Sequence, residues 1–307
     1  MIRSASIASH NFLRIAILSL AVSAAAGLLS TTHVFAQEKN TAKKFQPDRK
    51  IVYKTIGDVS LKLHVFEPEG HQASAKAPAI VMFFGGGWQG GTPKQFFEQG
   101  RAFADLGMVA FSAEYRIAKK HKTTPFECVA DGKSAIRYVR EHAAELGVDP
   151  DRIVAAGGSA GGHVACCTGM IDGYEEDEEN LNVSSVPNAM ILFNSVLDTT
   201  KKGYGAKRFS KENQTALSPC HHVQSGIVPT LVFHGTADTT VPFENATRFT
   251  TLMQEAGNEC RLEASEGTGH GAFNGKFFRP KTKDLEPYRK SMKASIEFLK
   301  SLKMLDS

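Results

Sequence analysis

Short apolar runs alternate along the chain with longer stretches in which apolar positions recur every three or four residues. Residues 51–56 and 59–66 are strand-like and flank Gly57-Asp58, a pair suited to a two-residue turn, so they predict an antiparallel hairpin. Residues 78–84 form a continuous apolar run, the pattern of a strand covered on both faces. From Pro93 the pattern predicts a helix to Leu106, closed by Gly107, and then a strand over 108–115. Residues 126–146 place Val129, Ala130, Ala135, Ile136 and Val139 at helical spacing and end at Gly147. A strand over 151–156 leads to a helix over 160–170, and 189–197 and 230–234 read as buried strands. A helix over 243–256, a strand over 260–264 and a closing helix over 288–302 complete the order. Strands separated by helices require crossover connections. The fold class is therefore α/β: a mostly parallel sheet, an antiparallel N-terminal edge hairpin, and helices on both faces. Residues 198–228 carry no strong period and predict a small lid or loop over the carboxyl edge of the sheet.

The first 36 residues break this pattern. Arg3 and Arg14 are their only charged side chains, residues 15–29 are apolar, and Val34-Phe35-Ala36 puts small residues at −3 and −1 of a cleavage point. This is the pattern of a secretory signal peptide, which predicts export to the periplasm or beyond the cell after cleavage near Ala36. The apolar run falls short of the roughly 20 residues a membrane span needs, so no stable membrane insertion is expected after cleavage. Residues 37–307 then form one domain. Export permits disulfides, but Cys128, Cys166, Cys167, Cys220 and Cys260 are odd in number and contain no CxxC, so no pairing is specified.

A composition 42% apolar and 22% charged excludes collagen-like and disordered chains. The net charge of +4 falls to +2 once Arg3 and Arg14 leave, which gives no case for nucleic-acid binding. Nothing in the sequence specifies an oligomer.

The chemistry gathers at three predicted strand ends. Gly157-Gly158-Ser159-Ala160-Gly161-Gly162 joins a predicted strand to a predicted helix. A serine there is held clear of the sheet in a strained turn, with free N–H groups of the helix start behind it. A phosphate-cradling loop is the other reading of such glycines, but no Lys-Ser or Lys-Thr pair follows them. A serine hydroxyl needs a base to remove its proton, and the base needs a third group to orient it. His270, in Gly267-Thr268-Gly269-His270-Gly271, is the base candidate, and Asp238, after the strand over 230–234, is the orienting acid. Asp198, after the strand over 189–197, is the rival acid. Serine, then acid, then histidine is the chain order of one group of hydrolases. Phe84-Gly85-Gly86-Gly87-Trp88 follows another buried strand. The amides of Gly86 and Gly87, with that of Ala160, would receive the negative charge that acyl transfer builds on oxygen. Trp88, the only tryptophan, is the substrate-pocket candidate.

With these residues in place the chain resembles the α/β-hydrolase superfamily, and within it the exported acetyl-esterase, feruloyl-esterase and hormone-sensitive-lipase-like serine esterases. The matching stretches are FFGGGW (83–88), EYR (114–116), DPDRIVAAGGSAGGHVA (149–165), LSPCHHV (217–223), FHGTADTTVPF (233–243) and GTGHGAFN (267–274). The resemblance implies Ser159 as nucleophile, His270 as base, Asp238 as orienter, and Gly86, Gly87 and Ala160 as oxyanion donors. It also implies no metal and no organic cofactor, and a small-molecule or polysaccharide ester as substrate. A peptidase on the same fold and an inactive binding protein are the alternatives. Phe84 departs from the family, which usually has a histidine there to pin the oxyanion loop, and Glu114 replaces the commoner Asp. Cys220-His221-His222 lacks metal-ligand spacing. The acidic run Glu175 to Glu179 predicts a solvated loop. Asn182, Asn213 and Asn245 start glycosylation-type tripeptides that also arise by chance.

Overall fold

The computed structural model describes residues 45–306, so the expected signal peptide and its cleavage point lie outside the described residues. The chain divides into two units, Met1–Gln46 and Pro47–Ser307, and every described strand and helix belongs to the second. Its strands are β1 (Arg49–Ile56), β2 (Val59–Phe66), β3 (Ala77–Phe83), β4 (Val109–Ala113), β5 (Val148–Gly158), β6 (Ala189–Phe193), β7 (Thr230–Gly235) and β8 (Cys260–Ser265). They form one sheet in the order β1-β2-β4-β3-β5-β6-β7-β8. The β1–β2 hairpin is antiparallel, β2 meets β4 antiparallel, and all later pairs are parallel. The helices are α1 (Phe97–Ala104), α2 (Ala118–His121), α3 (Pro125–Glu141), α4 (Ala143–Leu146), α5 (Ala160–Met170), α6 (Phe243–Glu255) and α7 (Glu286–Ser301). This is the α/β-hydrolase fold.

Alternation along the central strands separates two buried faces. Val81 and Phe83 of β3, Ala155 of β5 and Leu192 of β6 join one cluster with Val129 and Ile136 of α3, Val164 of α5 and Phe249 of α6. Ile80, Met82, Val154, Ala156, Ile191 and Phe193 point the other way and are equally buried, as are Phe97 and Phe103 of α1 and Phe298 and Leu299 of α7. Helices thus cover both faces. At about 25 cal/mol per Å² of apolar surface removed from water, this double burial is the main term holding the sheet.

Local chemistry accounts for where elements differ from the expected ones. The helix expected over 126–146 is interrupted at His142, whose main-chain N–H and ring nitrogen Nδ1 both converge on Tyr138 O at 3.0 Å. Its start is fixed by Thr124 and Glu127, which form a reciprocal capping box ahead of Pro125. The helix expected from Pro93 begins as a 3₁₀ turn, Pro93–Phe96, before α1. Strand β5 starts earlier than the pattern indicates because Val148 pairs with Ala77 across an irregular register. Strand β6 ends at Phe193, since Asn194 takes the left-handed conformation with φ +43°. All five cysteines are free and buried.

Candidate active site

The turn between β5 and α5 holds Ser159 at φ +56°, ψ −123°, a conformation that costs a non-glycine residue on the order of 1–3 kcal/mol. The main chain fixes it there: Ser159 N–H donates to Phe193 O at 2.9 Å, and Ser159 O accepts from His163 N–H and Val196 N–H. The turn also brings the start of α5 against the end of β3. A Cβ on Gly161 would fall 2.1 Å from Phe83 O, so only glycine fits. Ser159 is 9% exposed and faces a cavity of about 370 Å³ at the carboxyl edge of the sheet.

His270, on the loop after β8, reaches this serine. Its Nε2 lies 2.8 Å from Ser159 Oγ and its Nδ1 lies 2.7 Å from Asp238 Oδ2. A carboxylate only accepts, so Nδ1 carries the proton and Nε2 presents a lone pair to the hydroxyl. The Asp238 carboxylate is fully donor-satisfied. Asn194 Nδ2–H donates to its Oδ2 at 2.8 Å, and Thr240 N–H and Val241 N–H donate to its Oδ1 at 2.8 and 3.0 Å. His234 Nε2 lies 3.0 Å from Val241 O and 3.3 Å from the same Oδ2, so its one N–H is shared between the two acceptors. Burial pushes the Asp238 carboxyl upward, but hydrogen bonds from His234, His270, Asn194 and Val241 outweigh it and hold the group far below the usual carboxylate range. The rival, Asp198, lies elsewhere: its carboxylate pairs with Arg248 at 2.8 Å and accepts from Thr200 N–H. Asn194 carries no motif, and His234 lies inside FHGTADTTVPF without being singled out there. Only the strained end of β6 and the register of β7 bring them in.

The glycine loop after β3 lines the same cavity through Gly85, Gly86 and Gly87. Gly85 N–H is taken by Gln95 Oε1 at 2.6 Å. The amides of Gly86 and Gly87 have no acceptor among the described residues, and the amide of Ala160 opens α5. Gly86 has φ +135°, and a Cβ there would fall 2.3 Å from Gly90 O. Phe84 gives this loop no side-chain hydrogen bond, yet the loop is pinned. Phe84 stacks on Tyr115 at 4.2 Å between ring centroids, and Tyr115 O–H donates to Phe84 O at 2.5 Å. Gln95 Nε2–H then donates to Asn274 Oδ1 at 2.9 Å, and Asn274 Nδ2–H donates to Gly271 O at 3.0 Å. One glutamine thus ties the glycine loop to the loop bearing His270.

Trp88 requires a correction, because it does not line the Ser159 cavity. It is 1% exposed, donates Nε1–H to His163 Nδ1 at 3.3 Å, and packs edge-on against Phe209. With φ +59° its ring turns under the loop into the core. Tyr204, from the segment over 198–228, lines the cavity in its stead, with Thr240, Phe273 and the 37%-exposed Phe278. Tyr204 and Phe278 carry no local signal in sequence, and Thr240 and Phe273 lie inside matching stretches that mark no role for them. Glu114 lies away from the cavity, accepting from His64 and Lys62 N–H at the β2–β4 edge.

The acidic run is only partly a solvated loop: Asp177 and Glu178 are exposed, but the other three carboxylates turn inward. Glu175 pairs with Lys133 and Arg137, Glu176 with Lys54 and Arg116, and Glu179 with Arg137 and Ser134. Asp131, fully buried, bridges Arg116 at 2.8 Å and Lys54 at 2.9 Å. Cys220, His221 and His222 turn to separate partners, Asn245 O, Ser218 Oγ and Thr215 O.

The chain is similar to known esterases. The family model described as BD-FAE matches residues 63–209. The solved apo structure of esterase 2 from Thermogutta terrifontis is 46% identical with a TM-score of 0.80, over 84% of this chain and 96% of that one. Other solved forms of that esterase are phosphorylated by paraoxon, or bound to propionate or butyrate. Carboxylesterase NlhH of Mycobacterium tuberculosis is 26% identical over 78% of this chain and 80% of its own length. A probable isoprenylcysteine alpha-carbonyl methylesterase of Arabidopsis thaliana is 27% identical over 72% of this chain, which spans 50% of that relative.

Proposed function

This chain belongs to the esterases of the α/β-hydrolase fold, and from that premise we propose that it hydrolyses short-chain carboxylic esters through an acyl-enzyme on Ser159. The reading is carried by the unbroken line from Ser159 Oγ through His270 to Asp238, at 2.8 and 2.7 Å. In the first step His270 Nε2 takes the hydroxyl proton as Ser159 Oγ attacks the ester carbonyl. The oxygen that becomes negative meets the amides of Gly86, Gly87 and Ala160, each worth roughly 100- to 1,000-fold in rate by general precedent. Asp238 stays ionised and stabilises the imidazolium. His270 then gives its proton to the departing alcohol, and water, activated the same way, frees the acid. No step calls on a metal or cofactor.

A cavity of about 370 Å³, walled by the buried Phe273 and bordered by the exposed Phe278, favours a small acyl group, in keeping with the propionate and butyrate forms of the Thermogutta esterase. Acetyl or feruloyl esters on a polysaccharide fit a site bordered by so short a lid segment. Export is part of the same proposal, supported by Arg3, Arg14, the apolar stretch over 15–29 and Val34-Phe35-Ala36. Hydrolysis of 4-nitrophenyl acetate beside Ser159→Ala tests the core of the reading. The variant is expected to fall by about 10⁴-fold or more, and paraoxon is expected to add one diethylphosphoryl group to wild type alone, read by mass. A wild type no faster than the variant would remove the enzyme reading.

A further inference from the structure

Next to the Ser159 cavity lies a second and larger one, of about 690 Å³, formed by the chain from Thr200 to Phe209 and by Gln214. Tyr204 lines both. Its hydroxyl sits against the glycine loop, 2.9 Å from where a Cβ of Gly87 would be, so it stands at the boundary between the reacting carbonyl and the second cavity. Phe209 and Tyr204 supply aromatic surface, and Lys201, Lys207 and Arg208 supply three positive charges.

Among the described residues no carboxylate lines this cavity. Among the described residues none of the three cations is within ion-pair distance of an acid, and Asp198, at the root of the segment, is already held by Arg248. The contrast within the molecule is sharp. Lys54, Arg116, Lys133 and Arg137, the largely buried cations around α3, are each matched by carboxylates. Three unpaired cations around a concavity give a local field that attracts anions, and the chain keeps a net charge of +2 even after Arg3 and Arg14 leave. The guanidinium adds a planar fork suited to a carboxylate, and the aromatic pair suits a ring.

We propose that this cavity binds an anionic part of the substrate: a carboxylate carried on a ring of the ester's acyl or alcohol portion. The inference rests on the esterase reading and adds to it a substrate class, esters that are themselves acids. Tyr204 then separates the ester carbonyl at Ser159 from the charge held by Lys201, Lys207 and Arg208.

Two matched pairs of substrates test it. 4-Acetoxybenzoate against 4-acetoxybenzamide places the charge on the alcohol side, and mono-4-nitrophenyl terephthalate against 4-nitrophenyl 4-carbamoylbenzoate places it on a ring of the acyl side. The quantity read is the anionic-to-neutral ratio of kcat/KM, which a general loss of activity does not move. Wild type is expected to favour the anion of at least one pair by about tenfold, chiefly in KM, as three partly screened charge contacts allow. The ratio should fall toward parity in 1 M NaCl, where screening is short-ranged. It should fall equally in the combined variant Lys201→Gln, Lys207→Gln, Arg208→Gln. A wild-type ratio near one in both pairs, or a ratio that survives the combined variant, overturns the proposal while turnover of the neutral esters leaves the esterase reading standing. If no ester is turned over, the esterase reading fails. Calorimetric titration with 4-hydroxybenzoate then still reads the cavity, and absence of binding overturns the proposal on its own.

Discussion

Gln95 is 7% exposed and spends both ends of its amide on main-chain order, receiving Gly85 N–H and donating to Asn274. Replacing it with leucine keeps the volume and removes both bonds, leaving Gly85 N–H and Asn274 Oδ1 buried without partners. Because the amides of Gly86 and Gly87 follow directly, their aim should loosen by fractions of an ångström. Such an error weakens stabilisation of the oxyanion more than binding of the neutral ester. The expected outcome for Gln95→Leu is a fall of about 10- to 100-fold in kcat with KM nearly unchanged, measured with 4-nitrophenyl acetate. A fall expressed in KM alone would assign Gln95 to substrate contact. The residue also shows what a sequence hides. Ser159, His270 and Asp238 stood out because each sits beside glycines at a strand end, where strain and access leave a local mark. Gln95 acts through Asn274, 179 residues away, and no local pattern encodes that meeting. Trp88 misled for a related reason: its place after the glycines was legible, but the sign of its φ, which turns the ring into the core, was not.

Among the elements, α3 does more than cover the sheet. Its buried Asp131, Lys133 and Arg137 and the loop carrying Glu175, Glu176 and Glu179 interlock with Lys54 of β1 and with Arg116. Asp131 is the pivot, accepting from Arg116 N, Nε and Nη2 as well as pairing with Lys54. A buried charge is tolerated only while its partners remain, so Asp131→Ala removes the one fully buried carboxylate and leaves Lys54 and Arg116 to share the partly exposed Glu176. A loss of about 3–5 kcal/mol is expected in urea denaturation, with the folded remainder keeping its turnover number. An unchanged midpoint would mean that water reaches the cluster. The order of strands and helices was readable from periodicity, because burial on two faces leaves continuous apolar runs. The acidic loop was not, because a run of glutamates looks alike whether it meets water or four cations from β1, α3 and the segment before α2.

Across the whole molecule, His163 joins three regions at one ring. It sits on α5 behind Ser159, accepts Trp88 Nε1–H at Nδ1, and donates Nε2–H to Leu217 O at 2.6 Å. Burial lowers it from 6.5 to about 4, so the folded protein holds it neutral. Protonation would turn Nδ1 from acceptor to donor, facing the indole N–H. The sign follows from linkage. Below pH 6.5 the unfolded chain takes up this proton and the folded one does not until about pH 4, so the contribution is full above 6.5 and is lost as pH falls through that window. It amounts to about 3 kcal/mol at most. Glu175 and Glu176, lowered by their cations despite burial, add a further loss at lower pH. Urea midpoints should therefore decline steadily from pH 7 to pH 4, and His163→Gln should flatten the upper part of that decline. An identical slope in the variant would exclude His163 as its source.

The five buried thiols give the folded and unfolded states different chemical lifetimes. Burial pushes Cys220 and Cys260 up to about 12 and raises Cys128, Cys166 and Cys167 as well, so in the fold almost no thiolate forms to attack a disulfide or meet an oxidant. Once the chain opens, all five return to ordinary acidity and mobility, and an odd number of them cannot pair off cleanly. In an oxidising medium, durability then becomes a matter of how seldom the protein opens rather than of how far the equilibrium lies toward the fold. Heating past the transition in air and cooling should leave little activity and a ladder of non-reducing gel bands, whereas the same cycle with a thiol reductant should restore most of it. Equal recovery in both would show that the thiols do not limit refolding.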